Sequence, residues 1–236
     1  MAAKKKIVDS PEEFAYYDQR ALDRLTFFSD AVFAIAITLL VLNVTVPVIL
    51  PSEAGTELTS ALLATAPKFY SYVLSFLVIG GYWMAHQRTF HYVVRYDRGL
   101  ASLNLLFLLF IALIPFPTGV LSVYGDQLIA AILYAATLAL IGLLLSLLWF
   151  YISHHHRLLA KTVRVDAARV NMWRNLSPPI VFLASIGVAF VSIPIAELMW
   201  PLAFIIPVAV GLHKDAIYLR AIIKTCFIQA VTLLTC

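Results

Sequence analysis

The sequence predicts an all-α membrane protein with six transmembrane helices in each subunit. Of the 236 residues, 62% are hydrophobic and only 13% are charged, with a mean hydropathy of +0.90. Soluble domains are about 45–50% apolar and about 25% charged, so this chain has too few charges for a water-facing surface. The apolar runs are long and continuous, unlike the short alternating strands of a transmembrane barrel. Since a span needs about 20 residues, the length holds about six spans and no soluble catalytic domain.

The first helix is expected to begin in water, before its apolar part. Ser10 suits the N-cap, Pro11 suits the first helical position, and Glu13 can complete a capping box. The first span then covers approximately residues 25–46 and ends before Pro47.

Polar or proline-containing segments separate the five remaining spans. A tight turn is predicted at residues 124–127, where Gly125 and Asp126 interrupt two apolar runs. Pro194 marks the boundary between the last two spans. The predicted spans cover approximately residues 62–84, 100–123, 128–152, 176–193 and 195–212.

The basic residues predict that both termini lie in the cytoplasm. Sixteen of the 17 Lys and Arg residues precede the first span, follow the sixth, or lie between spans two and three or spans four and five. In a six-span topology all of these segments are on one side of the membrane, and only Lys68 lies toward the other. The positive-inside rule assigns the basic side to the cytoplasm. A five- or seven-span topology would scatter the same charges.

One face of the first span carries a stripe of largely apolar side chains. At 100° per residue, its members fall within a sector about 100° wide. Ordinary helix packing or lipid contact is the simplest interpretation from spacing alone. The stripe consists of Arg24, Phe28, Ile35, Thr38, Leu39 and Leu42.

Asp30 is an ionisable residue inside this span, about 140° around the helix from Ile35. A charged group in the membrane is costly, so we expect it to face the subunit and to have polar partners from neighbouring spans. The candidates are Trp83, His86 and Asn104. The simplest role for Asp30 is that of a structural hydrogen-bond anchor.

Several motifs resemble those of the endosomal and lysosomal potassium channels and their bacterial relatives. Residues 24–30 read RLTFFSD and match the RxxxFSD signature at the first span of that family. The WMAH run at 83–86, Asn104 and the PFPT run at 115–118 extend the resemblance. Residues 78–83 have only a faint likeness to the TVGYG filter of common potassium channels and lie inside a continuous span. Animal members carry two six-span repeats, so a chain with one repeat resembles the bacterial form.

The resemblance implies a homotetramer whose first helices line a central pore. Apolar rings of Ile35, Leu39 and Leu42 would then form the constriction. Such a neck gates by dewetting and makes ions shed water, which potassium does more readily than sodium. Thr38 would add a polar ring to the filter, although a hydrogen bond from Thr38 to the carbonyl of Ala34 is an equally good interpretation.

The same resemblance divides the chain and assigns a structural network. Residues 1–24 would form a cytoplasmic N-terminal segment and helix start, 25–212 the six-helix transmembrane channel domain, and 213–236 a cytoplasmic tail. The network that holds the first span would consist of Arg24, Phe28, Ser29, Asp30, Trp83, His86 and Asn104.

These inferences predict a potassium-selective leak channel in a bacterial plasma membrane. Its partners would be further copies of itself, the lipid bilayer and the permeant potassium ion, with no cofactor, structural metal or nucleic acid. No catalytic set is recognisable, so an enzyme is not expected. A proton-conducting or proton-coupled transporter that uses Asp30 and His86 is the alternative function. A scaffold that moves no ions is a third hypothesis.

Overall fold

The computed structural model describes residues 11–52, 54–154, 158–159, 165–207 and 209. The predicted cap at Ser10 and the predicted tail, 213–236, therefore lie outside the described residues. A short 3₁₀ helix, Leu40–Asn43, continues the first α-helix. The α-helices are α1 (Pro11–Leu39), α2 (Ala54–Leu63), α3 (Ala66–Phe90), α4 (Arg98–Leu113), α5 (Pro115–Tyr124), α6 (Leu128–His154), α7 (Val165–Ala189) and α8 (Ile193–Met199).

The helical membrane architecture is confirmed, whereas the number of six spans stays a prediction. Three helical segments, two of them composed of two successive helices, are long and apolar enough to cross a bilayer, and a fourth is added if α2 and α3, bent by 41°, form one span. Near predicted spans five and six, α7 carries Arg169 and Arg174 in its first half, before the predicted start of span five, and the apolar helix Ile193–Pro207 is shorter than the usual span of about 20 residues. The three segments are Glu13–Asn43, Arg98–Tyr124 and Leu128–His154.

Two helix boundaries differ from the predicted spans. Helix α7 begins at Val165, within the basic stretch that was expected to connect spans four and five, because arginine is a good helix former and its long stem can follow apolar surface. The third predicted span is divided at Ile114, since Pro115 lacks the backbone N–H that a continuous helix would use.

Helix α6 forms the centre of the bundle and is buried on most of its surface, including Tyr134, Leu138 and Leu145. Helix α7 packs closely along it, and a Cβ atom at Gly142 would lie only 2.6 Å from Cδ of Pro179.

Helix α1 packs against α3 and α4 at the edge of this bundle. Within the described ranges, no helix covers the other side of α1.

The two glycines of α3 differ in their surroundings. A Cβ at Gly81 would collide with the ring of Phe204, whereas a Cβ at Gly80 would meet open space. The close approach of Phe204 therefore explains why residue 81 is a glycine, but there is no such contact to explain the glycine at residue 80. Both lie inside the continuous helix α3, as expected for a segment that does not form a filter loop.

Candidate ion pathway along the first helix

The two sides of α1 have opposite exposure. Phe33 in α1 is 1% exposed and packs against α3 and α4, and Leu40, the first residue of the 3₁₀ helix, is 0% exposed beside α3 and α5. Ile35, Leu39 and Leu42, which were predicted to form pore rings, are 58%, 42% and 70% exposed in the single chain. In a membrane, this apolar surface must be covered by lipid or by another copy of the chain.

The 3₁₀ segment keeps the exposed side chains aligned. A 3₁₀ helix has three residues per turn, so residues i and i+3 eclipse each other. Leu42 lies three residues after Leu39. The 3₁₀ turn brings the two side chains closer in angle around the helix axis than the angle of about 60° that separates residues i and i+3 in an α-helix. The same geometry leaves Leu40 buried.

Thr38 lies on the exposed side of α1, and its hydroxyl donates to the carbonyl oxygen of Ile35 at 2.9 Å. The prediction of a bond to the helix backbone named the carbonyl of Ala34, one residue earlier. Because the hydroxyl hydrogen is donated to the backbone, the lone pairs of the Thr38 oxygen can accept or coordinate.

A buried chain of hydrogen bonds holds the opposite side of α1. Asn104 Nδ2 donates to Ser29 Oγ at 2.9 Å, and Ser29 Oγ in turn donates to the carbonyl oxygen of Leu25 at 2.8 Å. The other end of the amide, Asn104 Oδ1, lies 2.9 Å from His86 Nε2. Ser29, His86 and Asn104 are each 0% exposed, so these bonds lie inside the subunit.

The hydrogen-bond directions define the protonation of His86. Because the Ser29 hydroxyl already donates to Leu25, Ser29 accepts from the Asn104 amide nitrogen. The amide oxygen of Asn104 then faces the His86 ring, and Nε2 of His86 carries the hydrogen. The other ring nitrogen, Nδ1, is buried without a hydrogen-bond partner in the described part of the chain. The ring stacks on Phe90 at 4.3 Å and on Phe107 at 5.6 Å between centroids. This packing suits a neutral imidazole.

Asp30 belongs to a separate group of hydrogen bonds at the subunit surface. Its Oδ1 accepts from Trp83 Nε1 at 2.8 Å and from Gln87 Nε2 at 2.5 Å. Asp30 is half-buried, and Trp83 is 41% exposed. His86, a predicted partner of Asp30, bonds to Asn104 instead.

Not all signature residues are part of these contacts. Ser29 and Asp30 join α1 to α4 and α3 respectively. Arg24 and Phe28 are exposed on the same side as Ile35, which places them outside the buried chain.

Two contributing residues were not predicted. Gln87 donates to the same carboxylate oxygen of Asp30 as Trp83 does. The two residues lie one helical turn apart on the same face of α3. Asn43 Nδ2 donates to the carbonyl oxygen of Pro115 at 3.0 Å and ties the end of the 3₁₀ segment to the break between α4 and α5. A polar residue in an apolar run is the signal that could have identified Asn43.

A family model described as "Endosomal/lysosomal potassium channel TMEM175" matches residues 24–115. "Potassium channel B446_29190" of Streptomyces collinus is 39% identical over 176 residues, which are 73% of this chain and 84% of the relative. "Potassium channel Cha6605_3372" of Chamaesiphon minutus is 33% identical over 191 residues, 79% of this chain and 90% of the relative. The chain belongs to the TMEM175 family. The prediction of a bacterial-type member of this family is thereby confirmed.

Solved structures agree with this assignment. The crystal structure of "a lysosomal potassium-selective channel TMEM175 homolog" from Chamaesiphon minutus superposes with a TM-score of 0.67 at 27% identity, over 83% of this chain and 99% of that chain. A structure of a variant of the potassium channel MtTMEM175 has a TM-score of 0.55 at 20% identity, over 82% and 93% of the two chains, and shows the shared fold.

The animal relatives of the TMEM175 family are longer and carry a different name. The human "Endosomal/lysosomal proton channel TMEM175" is 28% identical over 190 residues, 78% of this chain but 37% of the human protein. The matched members of the family are thus ion channels, not enzymes. Across the ranges that the structure describes, no group of three or more His, Cys, Asp or Glu residues could hold a metal ion.

Proposed function

We propose that this chain forms a potassium-selective leak channel, a homotetramer in a bacterial plasma membrane with both termini in the cytoplasm. In this assembly residues 25–212 are the channel domain, with six spans per subunit. The observation that carries the proposal is the uncovered apolar side of α1, where Ile35 and Leu39 are 58% and 42% exposed. Two bacterial relatives are named potassium channels, and this supports potassium as the permeant ion.

The exposed side chains suit a hydrophobic constriction. With four α1 helices around one axis, Ile35, Leu39 and Leu42 form three stacked rings. An ion that crosses them gives up part of its hydration, which costs less for potassium than for sodium, and the neck closes by dewetting. The lone pairs of the Thr38 oxygen, left free by its bond to Ile35, provide a polar ring beside them.

The hydrogen bonds of α1 give this constriction a fixed orientation. Asn104 holds Ser29 on the buried side, and Asn43 holds the far end of the helix at Pro115. Attachment at two places along the helix resists rotation about its axis. The apolar stripe therefore keeps facing away from its own subunit and toward the proposed axis.

Ion flux in liposomes tests the proposal. Purified protein is reconstituted with potassium inside and sodium outside, and a proton ionophore with a pH dye reports charge movement. We expect flux driven by the potassium gradient, none with sodium alone, and a clear change of flux or selectivity in Ile35→Asn. Leu105→Asn is the matched control, because Leu105 is 51% exposed and belongs to α4, not to the stripe on α1. The absence of potassium-driven flux would contradict the proposal.

Proton conduction is the second candidate function, favoured by the name of the animal relatives. It predicts uptake that follows the pH gradient and is lost in Asp30→Asn. The separate hydrogen bonds of Asp30 and His86 argue against a direct relay between them. Potassium flux that survives in Asp30→Asn would favour the potassium channel.

A further inference from the structure

Two arginines lie together in a crevice between α3 and α7, apart from the proposed pore. Arg88 is one of the last residues of α3, and Arg174 lies in the first half of α7. Both line a cavity of about 80 Å³, together with Asn175. Because both arginines line the same small cavity, their positive charges repel each other.

Three buried polar atoms of residues that line this cavity, and one of Asn171 a helical turn before Asn175, lack hydrogen-bond partners among the described residues. In the described part of the chain, the Nε atoms of Arg88 and Arg174, Nδ2 of Asn171 and Oδ1 of Asn175 are buried without hydrogen bonds. Asn171 and Asn175 are 4% and 1% exposed. Buried charges and polar groups are costly unless they are paired. The unpaired Nε atoms of Arg88 and Arg174, two residues that line the cavity, are N–H donors of charged groups, so their chemistry calls for an anion.

The surroundings of the crevice indicate the source of that anion. Its walls are apolar toward the membrane interior, where Met84 and Phe204 line it. Trp173, next to Arg174 in the chain, is 58% exposed. Exposed tryptophans are enriched at the level of the lipid headgroups. The crevice thus combines donors at headgroup depth with an apolar surface deeper in the membrane.

We propose that the crevice between α3 and α7 binds an anionic phospholipid, with Arg88 and Arg174 holding its phosphate. Guanidinium groups match the geometry of phosphate oxygens, and basic pockets between transmembrane helices bind anionic headgroups. The first part of an acyl chain lies along Met84 and Phe204. The phosphate also relieves the repulsion between the two arginines.

The site is joined to the attachment of α1 by short connections. Gln87, which donates to Asp30, directly precedes Arg88 in α3. Asn175 Nδ2 donates to Thr89 Oγ1 at 3.2 Å, which links α7 to α3 beside the crevice. A bound lipid therefore stabilises the end of α3 that anchors the first helix. This inference does not depend on which ion the protein conducts.

Lipid retention tests the proposal directly. The full chain is purified in detergent, incubated with phosphatidylglycerol or phosphatidylcholine, and analysed by native mass spectrometry. We expect the wild-type chain to retain phosphatidylglycerol preferentially. Arg88→Gln with Arg174→Gln should retain at least about tenfold less, since loss of even one charge-assisted hydrogen bond lowers affinity about tenfold. Arg169→Gln, an exposed position on the same helix, should retain lipid like the wild type. Equal retention by the double variant and the wild type would overturn the proposal.

Thermal unfolding provides the second measurement. Phosphatidylglycerol should raise the unfolding midpoint of the wild type and of Arg169→Gln, but not that of the double glutamine variant. Without anionic lipid, the double variant should unfold at or above the wild-type midpoint, because it lacks the repulsion between two unpaired charges. If it fails to fold, Arg88→Lys with Arg174→Lys keeps the charges and should show intermediate retention. A midpoint raised equally by inorganic phosphate would identify a soluble anion and overturn the lipid assignment.

Discussion

The two sides of α1 invert the arrangement of a soluble helix. The side toward its own subunit carries the polar residues Ser29 and Asp30, whereas the opposite side exposes Ile35, Leu39 and Leu42. In water the apolar side would be buried and the polar side exposed. In a membrane no aqueous hydrogen-bond partner is available, so polar groups must find partners inside the protein.

This contrast separates two functions of one helix. The buried side is held by specific bonds, and its residues are expected to determine stability. On the exposed side, the bond of Thr38 to its own backbone is the one side-chain hydrogen bond that the described residues show for the stripe. Its residues are expected to influence ion flux with little effect on the fold of the subunit.

The largest expected difference is between two adjacent leucines. Leu40 is 0% exposed, so Leu40→Ala should lower the free energy of unfolding by about 2–5 kcal/mol, because it leaves a cavity. Leu39 is 42% exposed, so Leu39→Ala should change it by only about 0.5 kcal/mol while altering potassium flux. Denaturant unfolding in detergent and liposome flux measure the two effects. Equal stability losses would show that the two sides do not differ.

The buried hydrogen-bond chain is expected to have the next largest effect. Asn104→Leu removes the partner of His86 and should cost about 1–3 kcal/mol of unfolding free energy, because a buried donor is left unpaired. Combining it with His86→Phe removes both polar partners and should restore much of the loss, as measured by the same unfolding experiment. A double variant no more stable than Asn104→Leu would contradict the chain of bonds described for this side.

Removal of the surface bond to Asp30 should cost less. Trp83→Phe deletes the indole donor, but Trp83 is 41% exposed and Gln87 still donates to Asp30. We therefore expect a loss of about 1 kcal/mol in unfolding free energy. Trp173→Phe is the control, since Trp173 is 58% exposed and belongs to α7, whereas the donors to Asp30 belong to α3. If Trp83→Phe lowered the unfolding free energy as much as Asn104→Leu does, the bonds of Asp30 would contribute to stability as much as the buried hydrogen-bond chain.

The smallest effect on stability is expected at Thr38. Thr38→Ala should change the unfolding free energy by about 0.5 kcal/mol or less, because Thr38 is exposed and bonds only to its own helix. It should nevertheless weaken the preference for potassium over sodium, which reversal potentials measure. Unchanged reversal potentials would remove Thr38 from the filter.

Much of the α1 geometry could be predicted because helical periodicity acts over short distances. The stripe that contains Ile35 and Leu39 and the opposed position of Asp30 follow from 100° per residue. The partnership of Asp30 with Trp83 was among the predicted contacts. The roles of these residues in conduction remain predictions.

The contacts that could not be predicted join residues far apart in the chain. His86 was expected near Asp30 but bonds to Asn104, and Asn43 reaches Pro115, 72 residues away. Such pairings depend on how the helices rotate against each other, which sequence spacing does not specify. The meeting of Arg88 with Arg174 is of the same kind.

The sequence by itself determined the membrane class, the apolar segments, the exposed stripe and the family, because hydropathy, helical periodicity and short motifs are properties of the local chain. Only the tertiary structure decided which polar groups pair and that two arginines share one crevice. These features follow from the packing of distant helices, where the need to satisfy buried polar groups selects one rotation and one depth for each helix.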